Sequence, residues 1–171
     1  MAQAPKPEQE FLTSLQCNLL LLEDTLTSWR SWPSKDMTGK RGDWGWTLLH
    51  EVSSVGNAEA IRWVFSRSRC MTNVADKLGR TPLLTALIAG AGLDAVQELL
   101  NHGEDIAKED EVGRNPAEAS ILYCCPDVIQ IILDETKKDS ENEIDIDILL
   151  LIAEDHSLPR VVKKIIEDTL M

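Results

Sequence analysis

"LGRTPLLTALIAGAG", residues 78–92, opens with a turn glycine and passes through Thr-Pro into an apolar run. Nearly the same phrase occurs twice more, as "WGWTLLHEVSSVGN" from Trp44 and "VGRNPAEASILYC" from Val112. The glycines that open the three phrases, Gly45, Gly79 and Gly113, are spaced 34 and 34. A fixed period of that length implies stacked units rather than one globular core.

Each phrase has a local physical meaning. Thr81 can cap a helix with its hydroxyl, and Pro82 sits where a first helical residue lacks an intrahelical N–H partner anyway. Asn115-Pro116 repeats the device, whereas Thr47-Leu48 keeps the cap without the proline. One short helix is expected after each start, over "LLHEVSSV", "LLTALIA" and "AEASILY". The breaks "GNAE", "GAGLD" and "CCPD" follow. A second helix then carries an apolar face at helical spacing: Ile61, Val64 and Phe65; Val96, Leu99 and Leu100; Val128, Ile129, Ile132 and Leu133. Three or four apolar residues per helix cannot stand alone, so stacking must complete the core.

Residues 76–106, "DKLGRTPLLTALIAGAGLDAVQELLNHGEDI", resemble an ankyrin repeat, whose pattern includes D-x-x-G-x-T-P-L-H-x-A and ends L-L-x-x-G-A-D-[IV]. Asp76, Gly79, Thr81, Pro82, Leu83, Ala86, Leu99, Leu100, Gly103, Asp105 and Ile106 match. Leu84 replaces the usual histidine, and "GAGLD" holds one extra residue. The first unit keeps Gly45, Thr47, Leu49 and His50 but has Gly42 where the aspartate belongs; the third keeps Asp110, Gly113 and Pro116, with Asn115 for Thr and Glu118 for His. The resemblance runs from about residue 42 to 136. It implies an all-α fold, a short ankyrin-like solenoid of stacked helix-turn-helix repeats. In such repeats the His50 position hydrogen-bonds backbone and hydroxyl groups between units.

The expected units are 42–75, 76–109 and 110–143, with a capping repeat over 144–171 that places Val161-Val162 and Ile165-Ile166 on its second helix. Residues 1–41 read as a tail, an amphipathic capping helix and a linker. Phe11, Leu15, Leu19, Leu22, Leu26 and Trp29 form that helix's stripe. "RSWPSKDMTGKRGD" is the linking loop, and "ETKKDSENEID" is a second, polar loop. Ser140, followed by Glu141 and Glu143, makes a candidate phosphorylation site.

Catalytic signatures are tested and fail. "GAGLDA" fits a dinucleotide loop in spelling, yet a capped helix precedes it instead of a strand. The histidines His50, His102 and His156 share no metal-ligand spacing, and Cys17, Cys70, Cys124 and Cys125 form no CxxC pair. No catalytic residue, cofactor or metal is therefore expected. The N-terminus lacks the pattern of a secretory signal, and the runs "LLLL" and "ILLLIA" are far shorter than the ~20 residues that span a bilayer. A cytoplasmic location is expected, with the nucleus as a second compartment.

The net charge of −12 argues against a broad nucleic-acid surface, which needs clustered Lys and Arg. The charge is lopsided: residues 1–100 hold 11 acids and 10 bases, residues 101–171 hold 18 acids and 7 bases. Direct nucleic-acid or membrane binding is not expected; a protein partner is, with a basic one favoured by the acidic half. The resemblance implies binding along hairpin tips and first-helix faces. The tip positions are Asp43, Trp44 and Trp46, then Lys77, Leu78 and Arg80, then Glu111, Val112 and Arg114. The helix positions are Glu51, Ser54 and Val55, then Thr85 and Ala89, then Ala119 and Leu122. Trp44 and Trp46 are the strongest anchors if exposed, and packing residues if covered. Two functions fit: a non-catalytic module that binds, masks or escorts a partner in an inhibitor- or chaperone-like way, or a structural subunit buried permanently in an oligomer.

Overall fold

A computed structural model describes residues 43–67, 72–138, 145–156 and 158–170. Among them lie eight helices: α1 Leu48–Val55, α2 Ala58–Arg67, α3 Pro82–Ile88, α4 Leu93–Asn101, α5 Pro116–Tyr123, α6 Pro126–Lys138, α7 Ile146–Asp155 and α8 Arg160–Leu170. They pair as successive helical hairpins, and like helices stack on like. The first helices form one row, α1 on α3 on α5 on α7, and the second helices form another, α2 on α4 on α6 on α8. This is the all-α solenoid that the ankyrin resemblance implies.

The first helix of each unit starts at a side-chain cap. The Thr47 hydroxyl accepts from His50 N, that of Thr81 from Leu84 N, the Asn115 amide oxygen from Glu118 N and the Asp145 carboxylate from Ile148 N. In α1 and α5 the cap is reciprocal, since His50 and Glu118 accept back from the capping residue's own N–H. Between the rows the core is aliphatic. Leu49, Leu83 and Ile121 from first helices and Ile61, Leu99 and Ile132 from second helices belong to one cluster, all fully or almost fully buried. Each such side chain contributes about 1.5–3 kcal/mol by leaving water.

The residues expected on the second helices take their places: Ile61, Val64, Phe65, Val96, Leu99 and all four of the third unit are buried, and Leu100 is half-buried. One boundary differs. The polar loop expected from Glu135 begins later, because α6 continues to Lys138. Thr136 is buried there with its hydroxyl donating to the Ile132 carbonyl at 2.7 Å, and Lys137 and Lys138 suit the negative end of the helix dipole. Lys137 also reaches α8, donating to the Thr169 carbonyl at 2.6 Å. In the capping unit Val162 and Ile166 are buried, while Val161 is exposed. The amphipathic stripe from Phe11 to Trp29, the linker before Asp43 and Ser140 lie outside the described residues.

A second tie joins the loops that end the first two units. Asn73, in the left-handed conformation at φ 61°, donates its side-chain amide to the Gly103 carbonyl at 3.1 Å and accepts from Asp105 N at 2.6 Å. Glu104 stands where the repeat pattern has alanine. Its carboxylate is buried and accepts from Asn73 N at 3.1 Å and from Leu83 N, in the first turn of α3, at 3.3 Å. Burial pushes its pKa from 4.5 up to about 7, with the Asp105 charge adding and the two backbone donors opposing.

A carboxyl group whose pKa is higher folded than unfolded holds its proton more tightly in the folded state, so stability is greatest below 4.5 and is lost as pH rises to about 7. Across that window the wild type should lose roughly 3 kcal/mol relative to Glu104→Gln, measured as urea-unfolding free energies at several pH values. Parallel curves for the two proteins would show that Glu104 titrates normally.

Candidate functional site: the hairpin row

Between one unit's second helix and the next unit's first, the chain makes a tight finger. In the second finger Asp76 N donates to the Arg80 carbonyl at 2.9 Å and Gly79 N to the Asp76 carbonyl at 3.2 Å. The Asp76 carboxylate locks the turn. Its Oδ1 accepts from Leu78 N at 2.8 Å and Arg80 N at 3.0 Å; its Oδ2 accepts from Arg80 Nε at 2.8 Å and Nη2 at 2.6 Å. Asp110 and Arg114 build the third finger in the same way.

Trp46 occupies the register of Arg80 and Arg114, 34 residues before the first of them. With glycine at 42 there is no local carboxylate for an arginine to meet. The indole is instead 5% exposed, and its Nε1 donates forward to Asp76 Oδ2 at 3.2 Å. Unit one is thereby tied to unit two. His50 adds a second tie: Nδ1 accepts from Thr47 N at 3.1 Å, so Nε2 carries the proton and donates to the Arg80 carbonyl at 3.0 Å. This is the role that the ankyrin resemblance implies for His50.

The fingers also bond directly. Lys77 N donates to the Trp44 carbonyl and Glu111 N to the Leu78 carbonyl, both at 2.9 Å. Such close approach requires glycine at 79: φ is +75°, and an added Cβ would lie 2.9 Å from Glu111 N.

These contacts sort the expected binding positions. Exposed are Asp43, Lys77, Glu111 and Val112, the last at 80%. Half-buried are Trp44, Leu78 and Arg114 on the fingers and Glu51, Ser54, Val55, Ala89 and Leu122 on the first helices. Trp46, Arg80, Thr85 and Ala119 are buried. Their side chains hold the stack together rather than face outward, and the physical reason at Trp46 and Arg80 is the shared Asp76 carboxylate. Two half-exposed rings lie against the arginines: Trp44 with the Arg80 guanidinium 5.8 Å from its centre, and Tyr123 with that of Arg114 at 5.7 Å. Arg114 Nη1 also donates to the Tyr123 hydroxyl at 2.9 Å. Tyr123 was not among the expected positions; its place at the end of α5, beyond Leu122, was the signal.

Past the third finger the row opens into a cleft of about 350 Å³ between the starts of α5 and α7, lined by Glu109, Gly113, Glu118, Asp145, Ile148 and Leu149 among others. Desolvation raises the Glu118 pKa, with Glu109 and Asp110 adding and the Asn115 N–H opposing. Burial also pushes the Cys124 thiol up to about 12, and its Sγ donates to the Leu87 carbonyl at 3.3 Å. That cysteine is a packing residue between units. Among the described residues no group of His, Cys, Asp and Glu is arranged to hold a metal ion. None of the described helices is long and apolar enough to cross a membrane.

Removing the shared carboxylate takes hydrogen bonds at 2.6 and 2.8 Å from a buried guanidinium and one at 3.2 Å from a buried indole. Asp76→Ala should therefore cost about 3–5 kcal/mol in chemical denaturation. Asp110→Ala should cost less, about 2 kcal/mol, because the Arg114 side chain is 16% exposed against 4% for Arg80 and can recruit water. Equal losses at the two sites would show that the indole and the deeper burial contribute nothing.

A search of the curated proteins gives no match. A family model described as ankyrin repeats (3 copies) matches residues 16–110 and, in a second placement, residues 49–148. These matches cover most of the sequence, and the fingers and the helices from α1 to α6 fall inside them. With its 34-residue period and stacked helix pairs, the chain belongs to the ankyrin-repeat family, a protein–protein interaction module.

Proposed function

We propose that the protein is a non-catalytic module that binds and masks, or escorts, a basic protein segment along its row of fingertips. The observation that carries this reading is the third fingertip. Val112 stands 80% exposed on a turn locked by Asp110, with Glu111 and Glu109 exposed beside it. An apolar side chain held in water on a braced turn, between carboxylates, suits a partner segment that offers both aliphatic surface and positive charge. The opposite end supplies Trp44, half-buried on Arg80, as an aromatic anchor. The excess of acids over residues 101–171 supports the same polarity. Cys124 and Cys125 are free thiols, consistent with action in the reducing cytoplasm and also the nucleus.

The test is capture from a cell lysate with wild type, Trp44→Ala and the pair Glu111→Lys/Val112→Asp, at about 50 and 300 mM salt. A basic protein should be retained by the wild type, weakened by salt and lost with the double variant. Retention that ignores both the variants and the salt would instead support a permanently buried structural subunit.

A further inference from the structure

The first helices repeat in register, and that register exposes an anomaly at the last of them. The third residue of each carries a side chain on the face toward the next unit, as His50 shows by bonding to the Arg80 carbonyl. The sixth residue follows it on the same face, one turn on. In α1 these residues are His50 and Ser53, and in α3 Leu84 and Leu87; all four are fully buried under the next helix of the row. In α5 they are Glu118 and Ile121, the latter 2% exposed under α7. In α7 they are Ile148 and Leu151, exposed to 44% and 62%. The second-helix row ends differently. The register position held by the buried Ile61, Val96 and Ile129 becomes half-buried Lys163, which pairs with Glu154 at 3.1 Å. At that register position the second-helix row therefore closes with a charge, with Val161 exposed at the start of α8, while the first-helix row closes with two large aliphatic side chains, and the described residues place nothing over these two.

We propose that the Ile148/Leu151 face of α7 is a docking site for an amphipathic basic helix of a partner protein, lying where one more first helix would stack. The proposal deepens the reading above and rests on it, since both require a basic partner. Shape argues for a helix, because α3, α5 and α7 each cover the equivalent face of the helix before them. Charge argues for a basic one. Asp147 and Asp155 lie one turn to either side of Leu151, and α7 from its cap Asp145 onward carries no Lys or Arg. The cleft at the start of α7, lined by Ile148 together with Glu109, Glu118 and Asp145, continues the surface toward the third fingertip. A Lys or Arg flanking the helix's apolar stripe has carboxylates to meet there. A second copy docking through the same face would set these acids against themselves.

The test uses the 171-residue chain and a synthetic helical peptide of about 18 residues, with leucines at i, i+3, i+4 and i+7 flanked by Lys and Arg. A control peptide keeps the leucines and replaces the bases with Glu. The basic peptide should shift the backbone amide resonances of α7 and bind about tenfold more weakly to Ile148→Gln/Leu151→Gln. The acidic control should not bind. Circular dichroism should show the double variant folded, since Ile148 is 44% and Leu151 62% exposed.

Equal affinity for wild type and the Gln variant, or resonance shifts confined to the fingertips, would overturn the α7 site while leaving the fingertip reading intact. Failure of fingertip variants in the lysate experiment, with the peptide still on α7, would do the reverse. A concentration-dependent dimer in sedimentation that Leu151→Gln abolishes would assign the face to a second copy and also overturn the proposal.

Discussion

One carboxylate, that of Asp76, accepts from two backbone N–H groups, two guanidinium N–H groups and an indole. A buried charge is tolerated only where its lone pairs are filled, and this one is filled by donors from two different units. The local donors fold the finger into the turn that needs glycine at 79. The distant donor, Trp46, fixes where the preceding unit sits. Once the turn and the spacing are set, Leu78 presents its carbonyl to Glu111 N, and the Arg80 carbonyl meets His50 Nε2. Helix stacking then follows, because each first helix is launched from the base of a finger whose position is already determined. The long apolar contacts supply most of the free energy; the carboxylate supplies the register in which they meet.

The weight carried by such a small group explains how differently parts of the molecule could be read from the chain. Caps and turns are local chemistry, so Thr81-Pro82, Asn115-Pro116 and the spaced glycines announce the helix starts and fingers without any tertiary knowledge. The second-helix cores announce themselves by spacing. Trp46 does not. A tryptophan at a finger position has the composition of an anchor, and only the missing aspartate at 42 hints that its indole has to find a partner in the next unit. The end of α6 was equally hidden: "ETKK" is polar in spelling, yet Thr136 buries its hydroxyl on the helix's own carbonyl and Lys137 reaches across to α8. Among the candidate positions, sequence alone could not separate Val112, in open water, from Arg80, sealed beneath its finger. Both occupy fingers, and the difference lies in which side chain the turn's carboxylate holds.

Glu104 shows how the same frame accommodates departures from its pattern. Alanine at that position would leave the N–H groups of Asn73 and Leu83 to other partners. The glutamate satisfies both, but brings a charge into a site with little water. The first two units are thus joined on one side by the Asp76 carboxylate, held among positive and polar donors, and on the other by a carboxylate raised into the neutral range. The two carboxylates differ in their company more than in their depth. Asp76 faces a guanidinium, whereas Glu104 has backbone donors and a neighbouring Asp105.

The distribution of exposed apolar groups follows from the same frame. Within a repeat stack every unit but the last has its forward face covered, so large aliphatic side chains on that face stay exposed only in the final unit. Lys163 shows that the second-helix row closes with a polar residue at the matching place. The packing of α7 rests on the buried Leu149 and Ala153, while Ile148 and Leu151 are exposed. Two branched side chains in water among carboxylates leave apolar area uncovered, and a solenoid whose neighbouring units dock by burying such area has the means to recover it from another chain. The fingertip row and the α7 face differ in kind for this reason. The fingertips are braced by their own carboxylates and stand complete without a partner, while the α7 face is complementary to a helix from its geometry onward.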